Sequence, residues 1–238
     1  MSIGDRGSGA AKARIETVVM DMAGTTVVDG GIVEEAFTRA WDRLQSAQGP
    51  RRREEAIAWV RQTMGQSKIA VFRHLLPEES AAQALNAAFE AAYDELVAEG
   101  RSAAIPGAAD VIRALRADGR RVVLTTGFAR PTAEAIIASL GWEDLPDLVL
   151  TPSDAGRGRP APDLNLVALI RTEASGVDAI AVVGDTESDA RSGVAAGAGL
   201  VVGVLTGDRD REALLAAGAD EVIDSVAALP ALLERLGR

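Results

Sequence analysis

Polar side chains capable of chemistry lie shortly after short apolar runs at four places in this sequence. They are Asp21, Thr125, Arg159, Asp185 and Asp189. The runs are rich in β-branched residues, which is typical of strands buried on both faces of a parallel sheet. In an open α/β sheet, ligands bind beyond the carboxyl ends of such strands, so we expect these side chains to meet at one edge. Carboxylates, a hydroxyl and a guanidinium gathered there could hold a divalent cation and bind an anionic substrate.

The elements that would position these side chains follow from the alternation of apolar and helical patterns. Strand candidates cover residues 15–20, 121–125, 147–151, 179–184, 200–204 and, more weakly, 221–223. Between them, residues 107–118 and 131–140 place apolar side chains on one helical face, with proline near the start and glycine just past the end. This alternation predicts an α/β fold whose core is a Rossmann-like, mainly parallel sheet with helices on both faces.

Residues 32–100 interrupt this alternation, because the patterns there are helical only. The helix candidates are roughly 33–46, 51–64, 67–76 and 78–99. An all-helical block after the first strand predicts an inserted cap domain, joined to the core by small residues suited to hinges near 29–31 and 102–106. The predicted division is a disordered tail at 1–13, an α/β core at 14–30 and 104–238, and a helical cap at 31–103.

The composition narrows the possible function classes. The formal net charge is −10, and the only basic cluster is the three arginines at 51–53, which argues against a nucleic-acid partner. The chain has no cysteine, so neither a disulfide nor a thiolate nucleophile is available. No apolar stretch is long enough to span a bilayer, and the polar, glycine-rich start lacks the apolar region of a signal peptide. We therefore expect a cytoplasmic protein without a membrane partner.

Five short segments carry these residues or lie near them in the predicted fold. They are DMAGTT at 21–26, MGQSK at 64–68, VVLTTG at 122–127, GRP at 158–160 and VVGDTESD at 182–189. Each motif is weak alone, whereas the order of the four core motifs and their places at strand ends make the combination specific, and MGQSK is a further match within the predicted cap. The set resembles the haloacid dehalogenase superfamily, and more closely its phosphonatase branch. The resemblance implies a Mg²⁺-dependent hydrolase that acts on a small phosphonate or phosphorylated metabolite through an aspartyl-phosphate at Asp21.

The resemblance also implies roles for individual residues. The implied catalytic residues are Asp21 as nucleophile, Lys68, Thr125 and Arg159. The implied substrate-binding residues are Met22, Gly24, Thr25, Met64, Thr126, Gly127 and Phe128. The implied Mg²⁺ ligands are Asp21, the backbone carbonyl of Ala23, Asp185, and Asp189 either directly or through a water. Elementary chemistry agrees, because a carboxylate that faces a phosphoryl group is repelled unless a cation offsets the charge.

Each of these residues also has an ordinary structural interpretation. An aspartate after a strand is often a helix N-cap or a turn residue. Asp185 and Asp189 could simply enrich the first turn of a helix in negative charge. Thr125 could be a plain strand residue, and Arg159 a surface residue beside prolines. The convergence of four segments favours the site over these separate alternatives.

Ala23 and Lys68 bear on which bond would be broken. Phosphate-ester hydrolases of this superfamily carry an aspartate two residues after the nucleophile, and such a general acid is worth about 10²–10⁴-fold in rate. Alanine cannot supply a proton, whereas an imine between a lysine and an aldehyde would delocalise the carbanion left by P–C cleavage. Lys12 and Lys68 are the only lysines among 25 lysines and arginines, so Lys68 is the candidate for that imine. It could instead bind substrate as a cation, or be a chance surface residue.

Other positions depart from the phosphonatase pattern. Met22, Val71 and Phe128 stand where phosphonatases usually have tryptophan, histidine and tyrosine, which indicates a substrate other than the family's usual one. His74, the only histidine, is expected to be a packing or surface residue.

Two other functions stay open beside that of a phosphonatase-like hydrolase. One is a phosphatase of the sugar-phosphate type in which Lys68 only binds substrate, and the other is a non-catalytic phospho-receiver or binding module. The apolar cap helices would also allow a homodimer.

Overall fold

A computed structural model describes residues 13–45 and 49–238 of the chain, and a six-stranded parallel sheet lies at its centre. The strands are β1 (Thr17–Asp21), β2 (Arg121–Thr125), β3 (Leu148–Leu150), β4 (Ile180–Gly184), β5 (Leu200–Val204) and β6 (Glu221–Ile223). Their order across the sheet is β3-β2-β1-β4-β5-β6. The predicted parallel α/β sheet is thus confirmed, and most strands begin or end within a residue or two of the expected positions.

Between β1 and β2 the chain forms four helices, and no strand occurs among the described residues of this stretch. They are α1 (Ile32–Gln45), α2 (Gly49–Gln62), α3 (Lys68–Leu75) and α4 (Glu79–Ala98). Aromatic side chains join three of them, since the Phe72 ring lies 5.9 Å from that of Phe37 and 5.5 Å from that of Phe89. His74 is exposed and stacks on Trp59 with ring centroids 3.8 Å apart, in agreement with the predicted packing or surface role. We call residues 31–103 the helical insert.

The two chain crossings between the helical insert and the sheet lie side by side. The amide of Val28 donates to the carbonyl of Ala103 over 2.8 Å, and the amide of Ile105 donates to the carbonyl of Thr26 over 2.9 Å. Residues 30 and 31 follow the first crossing, and both are glycines with positive φ, a backbone region that side chains disfavour. The insert therefore joins the sheet through one short paired segment, at the predicted hinge positions.

Helices cover the sheet on both faces because its strands are largely apolar, with Val18 and Met20 in one hydrophobic cluster and Val19 in another. Every residue of β1, β4 and β5 is buried, as expected for strands without a solvent-facing side. The covering helices are α5 (Ala108–Ala117), α6 (Arg130–Ser139), α7 (Asp163–Thr172), α8 (Glu187–Ala196), α9 (Arg211–Ala216) and α10 (Leu229–Leu236). The predicted helices 107–118 and 131–140 correspond to α5 and α6.

The structure does not test the predicted tail, the predicted division into two domains or the predicted homodimer. The predicted tail at 1–13 lies outside the described residues except for Ala13, and so does Lys12. The division into core and cap domains and the homodimer stay predictions. No helix among the described residues combines the length and the apolar character needed to cross a membrane.

Candidate active site

The carboxyl ends of three neighbouring strands bring the predicted catalytic side chains of the core together. Asp21 and Thr125 are paired in register at the ends of β1 and β2. Asp185 directly follows β4, on the other side of β1, and Asp189 lies in the first turn of α8. With Arg159, which precedes α7, all five residues are at least nine-tenths buried. The sheet order thus gathers residues that are distant in sequence into one small volume.

Three of these side chains form a buried acidic cluster. Asp21, Asp185 and Asp189 each offer a carboxylate oxygen, and these oxygens lie within 4.8 Å of one another. The pKa of Asp185 is raised to about 8, first by burial and then by the charge of Asp21, against a 3.0 Å hydrogen bond from the Thr25 hydroxyl. Among the described residues, no donor bonds the carbonyl oxygen of Ala23. The repulsion and the all-oxygen ligand set fit a hard divalent cation such as Mg²⁺.

Arg159 joins two carboxylates of this cluster. Its Nη1 lies 2.6 Å from Oδ1 of Asp21 and also contacts Oδ1 of Asp189. Its Nε is buried and has no hydrogen-bond partner among the described residues. A guanidinium held in this way presents fixed positive charge beside Asp21, which suits the oxygens of a phosphoryl group.

Asp189 has a structural role as well as its place in the cluster. It forms a capping box at the start of α8, in which the amide of Thr186 donates to Oδ2 of Asp189 over 3.1 Å. In return, the amide of Asp189 donates to the hydroxyl oxygen of Thr186 over 3.3 Å. The cap uses Oδ2, whereas Arg159 contacts Oδ1. The helix-capping interpretation and the site interpretation are therefore compatible for this residue.

The loop after Asp21 is a tight turn around one carbonyl group. The carbonyl oxygen of Met22 accepts hydrogen bonds from the amides of residues 25–27 at 3.2, 2.9 and 2.8 Å. The Met22 side chain is wholly buried in the main hydrophobic core, so its backbone is the part that shapes the site. Gly24 has a φ of 89°, and a Cβ there would lie 2.3 Å from Oδ2 of Asp185. This position must be glycine for the loop to approach the cluster.

The loop after β2 supplies hydroxyl groups and an aromatic surface. The hydroxyl of Thr125 donates to the carbonyl of Met20 over 3.4 Å, and that of Thr126 accepts from the amide of Phe128 over 3.2 Å. Phe128 is buried, and its ring centroid lies 5.2 Å from Nζ of Lys68. Thr126 thus stabilises the turn that holds the Phe128 ring against the lysine.

Lys68 begins α3 and is 8% exposed. Its pKa is lowered to about 8, chiefly by burial; Arg159 lowers it further, while the charges of Asp29, Asp21 and Asp185 oppose the shift. An amine with this pKa has an appreciable neutral fraction near neutral pH, and the neutral form is the one that attacks carbonyl groups. Of the alternatives open for this residue, the exposed surface lysine is wrong.

The insert segment 64–68 is seated on loops of the core at positions that require glycine. A Cβ on Gly127 would lie 2.3 Å from the carbonyl oxygen of Gln66. A Cβ on Gly158 would lie 2.8 Å from the Cβ of Ser67. These contacts bring Lys68 to the carboxyl edge of the sheet.

A second contact between the helical insert and the core lies at Arg209. Its Nη2 donates to the carbonyl of Arg61 over 2.8 Å, and its Nε lies 3.0 Å from the carboxylate of Glu187. Next to this contact is a cavity of about 560 Å³, which Met64 and Asp185 both line. The predicted substrate-binding residue Met64 thus shares a cavity with the acidic cluster.

Asp29 and Tyr93 also lie near the site, and sequence reasoning missed them as site residues. Asp29 lines the same cavity as Asp185 and accepts the amide of Val33 over 3.2 Å. Burial raises the pKa of Tyr93, and the carboxylates of Asp29 and Asp21 raise it further. The available signals were weak: a carboxylate just before two glycines, and the only tyrosine of the chain.

Comparisons with known proteins agree with this geometry. The family model described as a hydrolase, haloacid dehalogenase-like hydrolase, matches residues 15–197. A phosphonoacetaldehyde hydrolase of Bacteroides fragilis is 29% identical over 93% of this chain and 96% of that protein. Another, of Parabacteroides distasonis, is 32% identical over 56% of this chain and 59% of that protein. The crystal structure of a phosphonoacetaldehyde hydrolase-like protein from Oleispira antarctica has a TM-score of 0.81 at 25% identity, over 99% of this chain and 97% of that one. This chain therefore belongs to the haloacid dehalogenase-like hydrolase family, and within it is similar to proteins named phosphonoacetaldehyde hydrolase.

Proposed function

We propose that this hydrolase cleaves the P–C bond of a small phosphonate whose carbonyl group lies one carbon away from that bond. The observation that carries the proposal is Lys68, a buried amine with a pKa of about 8 beside the catalytic carboxylates. Ala23, which has no proton to give, stands two residues after Asp21. The names of the relatives support the same substrate class.

Asp21 is the nucleophile of this reaction. One of its carboxylate oxygens bonds to phosphorus as the P–C bond breaks, and water then hydrolyses the aspartyl-phosphate. Arg159, 2.6 Å from Asp21, offsets charge on the phosphoryl oxygens, and Thr125 offers its hydroxyl to one of them. The acidic cluster and the Ala23 carbonyl would hold Mg²⁺, whose charge offsets the repulsion between Asp21 and the phosphoryl group.

Lys68 acts on the carbon side of the bond. Its neutral amine attacks the carbonyl carbon, and loss of water leaves a protonated imine. When the P–C bond breaks, the electron pair passes to carbon and is delocalised onto the imine nitrogen, which gives an enamine. This route needs no acid at position 23, because no alkoxide leaves. The helical insert, seated on the core, would keep water away from the imine.

Hydrolysis of a phosphate ester is a second candidate, and one observation favours it. A pKa of about 8 leaves most of Lys68 protonated at neutral pH, and a protonated amine would bind an anionic group of a sugar phosphate. Lys68→Arg separates the two candidates, because a guanidinium keeps the charge but cannot form the imine. The ester route should keep most activity in this variant, whereas the P–C route should lose it.

Phosphate release from matched phosphonates and phosphate esters, with and without Mg²⁺, tests the proposal. We expect release from carbonyl-bearing phosphonates, and loss of that release on chelation of Mg²⁺. Borohydride should trap the substrate on wild-type protein as a mass increase at Lys68, and the Lys68→Arg variant should show no adduct. Release from esters alone, without a borohydride adduct, would replace the P–C proposal by the ester route.

A further inference from the structure

Tyr93 is the only tyrosine of the chain, and it lies in α4 of the helical insert with 2% exposure. Its ring centroid lies 4.6 Å from that of Phe128. The same Phe128 ring lies 5.2 Å from Nζ of Lys68. Tyr93 and the lysine therefore contact one shared aromatic ring, which lies on the loop after β2.

The hydroxyl of Tyr93 is unpaired among residues 13–45 and 49–238. No hydrogen bond among the described residues involves it, although the large majority of buried polar side-chain atoms have a partner. Nε1 of Trp41 and Nε of Arg159 are unpaired and fully enclosed by protein atoms. The Tyr93 hydroxyl, in contrast, is not fully enclosed. An unpaired hydroxyl that is not fully enclosed opens onto free space.

The shared Phe128 ring points to the reaction site as that space, and the surrounding charges agree. Burial raises the pKa of Tyr93, and the carboxylates of Asp29 and Asp21 raise it further because they would repel a phenolate. Asp21 ends β1, and Asp29 lines the cavity that Asp185 also lines. The hydroxyl therefore stays protonated as a hydrogen-bond donor, on a residue whose ring packs on the same Phe128 ring as Lys68.

We propose that Tyr93 is a further substrate-binding residue, whose hydroxyl donates a hydrogen bond to an oxygen on the carbon part of the substrate, beside Lys68. The inference rests on the proposed function and adds a specificity determinant to it. A buried donor left unpaired disfavours any substrate that lacks this oxygen.

For a carbonyl phosphonate, the oxygen is that of the carbonyl group that Lys68 attacks. The nitrogen–carbon bond forms as the π pair of the carbonyl moves onto oxygen, and the Tyr93 hydrogen bond stabilises the charge that gathers there. The oxygen takes a proton from the attacking amine and a second from solvent, and it leaves as water. Tyr93 keeps its own proton throughout.

Two unreactive phosphonates that differ by one oxygen, hydroxyethylphosphonate and ethylphosphonate, test this inference by calorimetric titration of the full chain in Mg²⁺. Wild type should bind the hydroxyl-bearing compound about five- to tenfold more tightly. Tyr93→Phe should lose most of this preference and bind ethylphosphonate as wild type does. Phe89→Leu is the matched control, because Phe89 packs 6.3 Å from Phe128 in the same aromatic cluster but carries no hydroxyl. It should keep the preference.

The same preference in wild type and in Tyr93→Phe would overturn the inference. So would the absence of any preference in wild type, a result that does not depend on the folding of a variant. Phosphate release tests the proposed function separately. A protein that prefers the hydroxyl-bearing compound through Tyr93, yet releases no phosphate from any phosphonate, keeps this inference and loses the P–C route.

Discussion

The backbone amide of Lys68 donates a hydrogen bond to the carbonyl of Gly127 over 3.1 Å. Lys68 belongs to the helical insert, and Gly127 belongs to the loop after β2. The bond therefore exists only while the insert is seated on the core. The position of the Lys68 amine at the acidic cluster thus depends on a main-chain contact.

Gly127→Ala should prevent the helical insert from packing on the loop after β2. The added Cβ would lie 2.3 Å from the carbonyl oxygen of Gln66, a backbone atom that can yield only if the segment 64–68 moves. We expect kcat/KM to fall about 10²-fold, because a displacement of this size removes the lysine from the reacting atoms. Gly176→Ala is the control, since its Cβ would meet only the end of the Asp178 side chain. Unchanged kinetics in Gly127→Ala would mean that the insert need not be seated for catalysis.

Asp21→Asn should abolish turnover. An amide is a poor nucleophile, and loss of the attacking group in comparable enzymes lowers kcat by about 10⁴-fold or more. The fold should persist, because the change is isosteric and removes one charge from a repelling cluster. Phosphate release measures the effect, and circular dichroism checks the fold. Turnover that survives in this variant would contradict the nucleophile assignment, whereas a stable phosphoryl group on wild-type Asp21 without turnover would indicate a phospho-receiver.

The lowered pKa of Lys68 predicts a pH dependence of stability. Burial holds the folded-state pKa of Lys68 at about 8 against the ordinary 10.5 of a lysine, so the unfolded chain binds more protons between these values. The free energy of unfolding should therefore rise with pH across this window, by up to about 3 kcal/mol from this residue. Below pH 8 both states carry the charge, and the folded state bears the cost of burying it.

Lys68→Met removes this contribution while the charged groups that face the amine stay the same in both proteins. Those groups are Asp29, Asp21, Asp185 and Arg159. The variant should be more stable than wild type near neutral pH, and its advantage should shrink toward pH 10.5. Denaturant titrations across that range measure the difference. A constant difference would show that Lys68 keeps an ordinary pKa in the folded protein.

Mg²⁺ should stabilise the protein through the acidic cluster. At a concentration one hundred times its Kd, a ligand adds about 2.7 kcal/mol to the free energy of unfolding, visible as a rise in Tm. Asp185→Asn should lose most of this rise, and its metal-free form should melt higher than wild type because burial and Asp21 both disfavour the charged Asp185. Asp110→Asn, at an exposed carboxylate paired with Arg113 on α5, should keep the full Mg²⁺ effect. Equal shifts in both variants would locate the cation elsewhere.

Arg209→Ala should loosen the helical insert without touching the chemistry. The variant loses the 2.8 Å bond to the carbonyl of Arg61 and the 3.0 Å ion pair with Glu187. We expect faster hydrogen exchange in the segment 64–68 and a KM higher by about three- to tenfold. Arg235→Ala, which removes an exposed pair between α10 and Glu221 at the start of β6, is the control. Hydrogen-exchange rates equal to those of wild type would show that Arg209 does not hold the helical insert on the core.

The core half of the site could be predicted from the sequence because strand ends in a parallel sheet obey a simple rule. β-branched runs predict β1, β2 and β4, and the carboxyl ends of parallel strands lie at one edge of a sheet. Asp21, Thr125 and Asp185 therefore lie at the same edge, on strands that the structure shows to be neighbours. The helix patterns of the insert were equally readable. The double role of Asp189, with one carboxylate oxygen in the helix cap and the other in contact with Arg159, could not be predicted. Sequence patterns offer the two roles only as alternatives.

The half of the site that depends on how the insert sits could not be predicted. Tyr93 contacts Phe128 only because α4 packs against the loop after β2, and no periodicity encodes that contact. The same holds for the close packing of the segment 64–68 on Gly127, where an added Cβ would lie 2.3 Å from the carbonyl oxygen of Gln66, and for the bond from Arg209. Such contacts join segments with unrelated sequence patterns, so they emerge only from three-dimensional packing.

The paired crossings at 26–28 and 103–105 have a consequence for how such an enzyme diversifies. Both ends of the helical insert leave the sheet at adjacent points, so a block of different length or shape can occupy the same attachment without shifting any strand register. The groups that would meet phosphorus belong to the core, whereas Lys68 and Tyr93 belong to the insert. Exchange of one contiguous piece of gene can therefore replace the residues that the insert brings to the site while the residues at the strand ends stay in place.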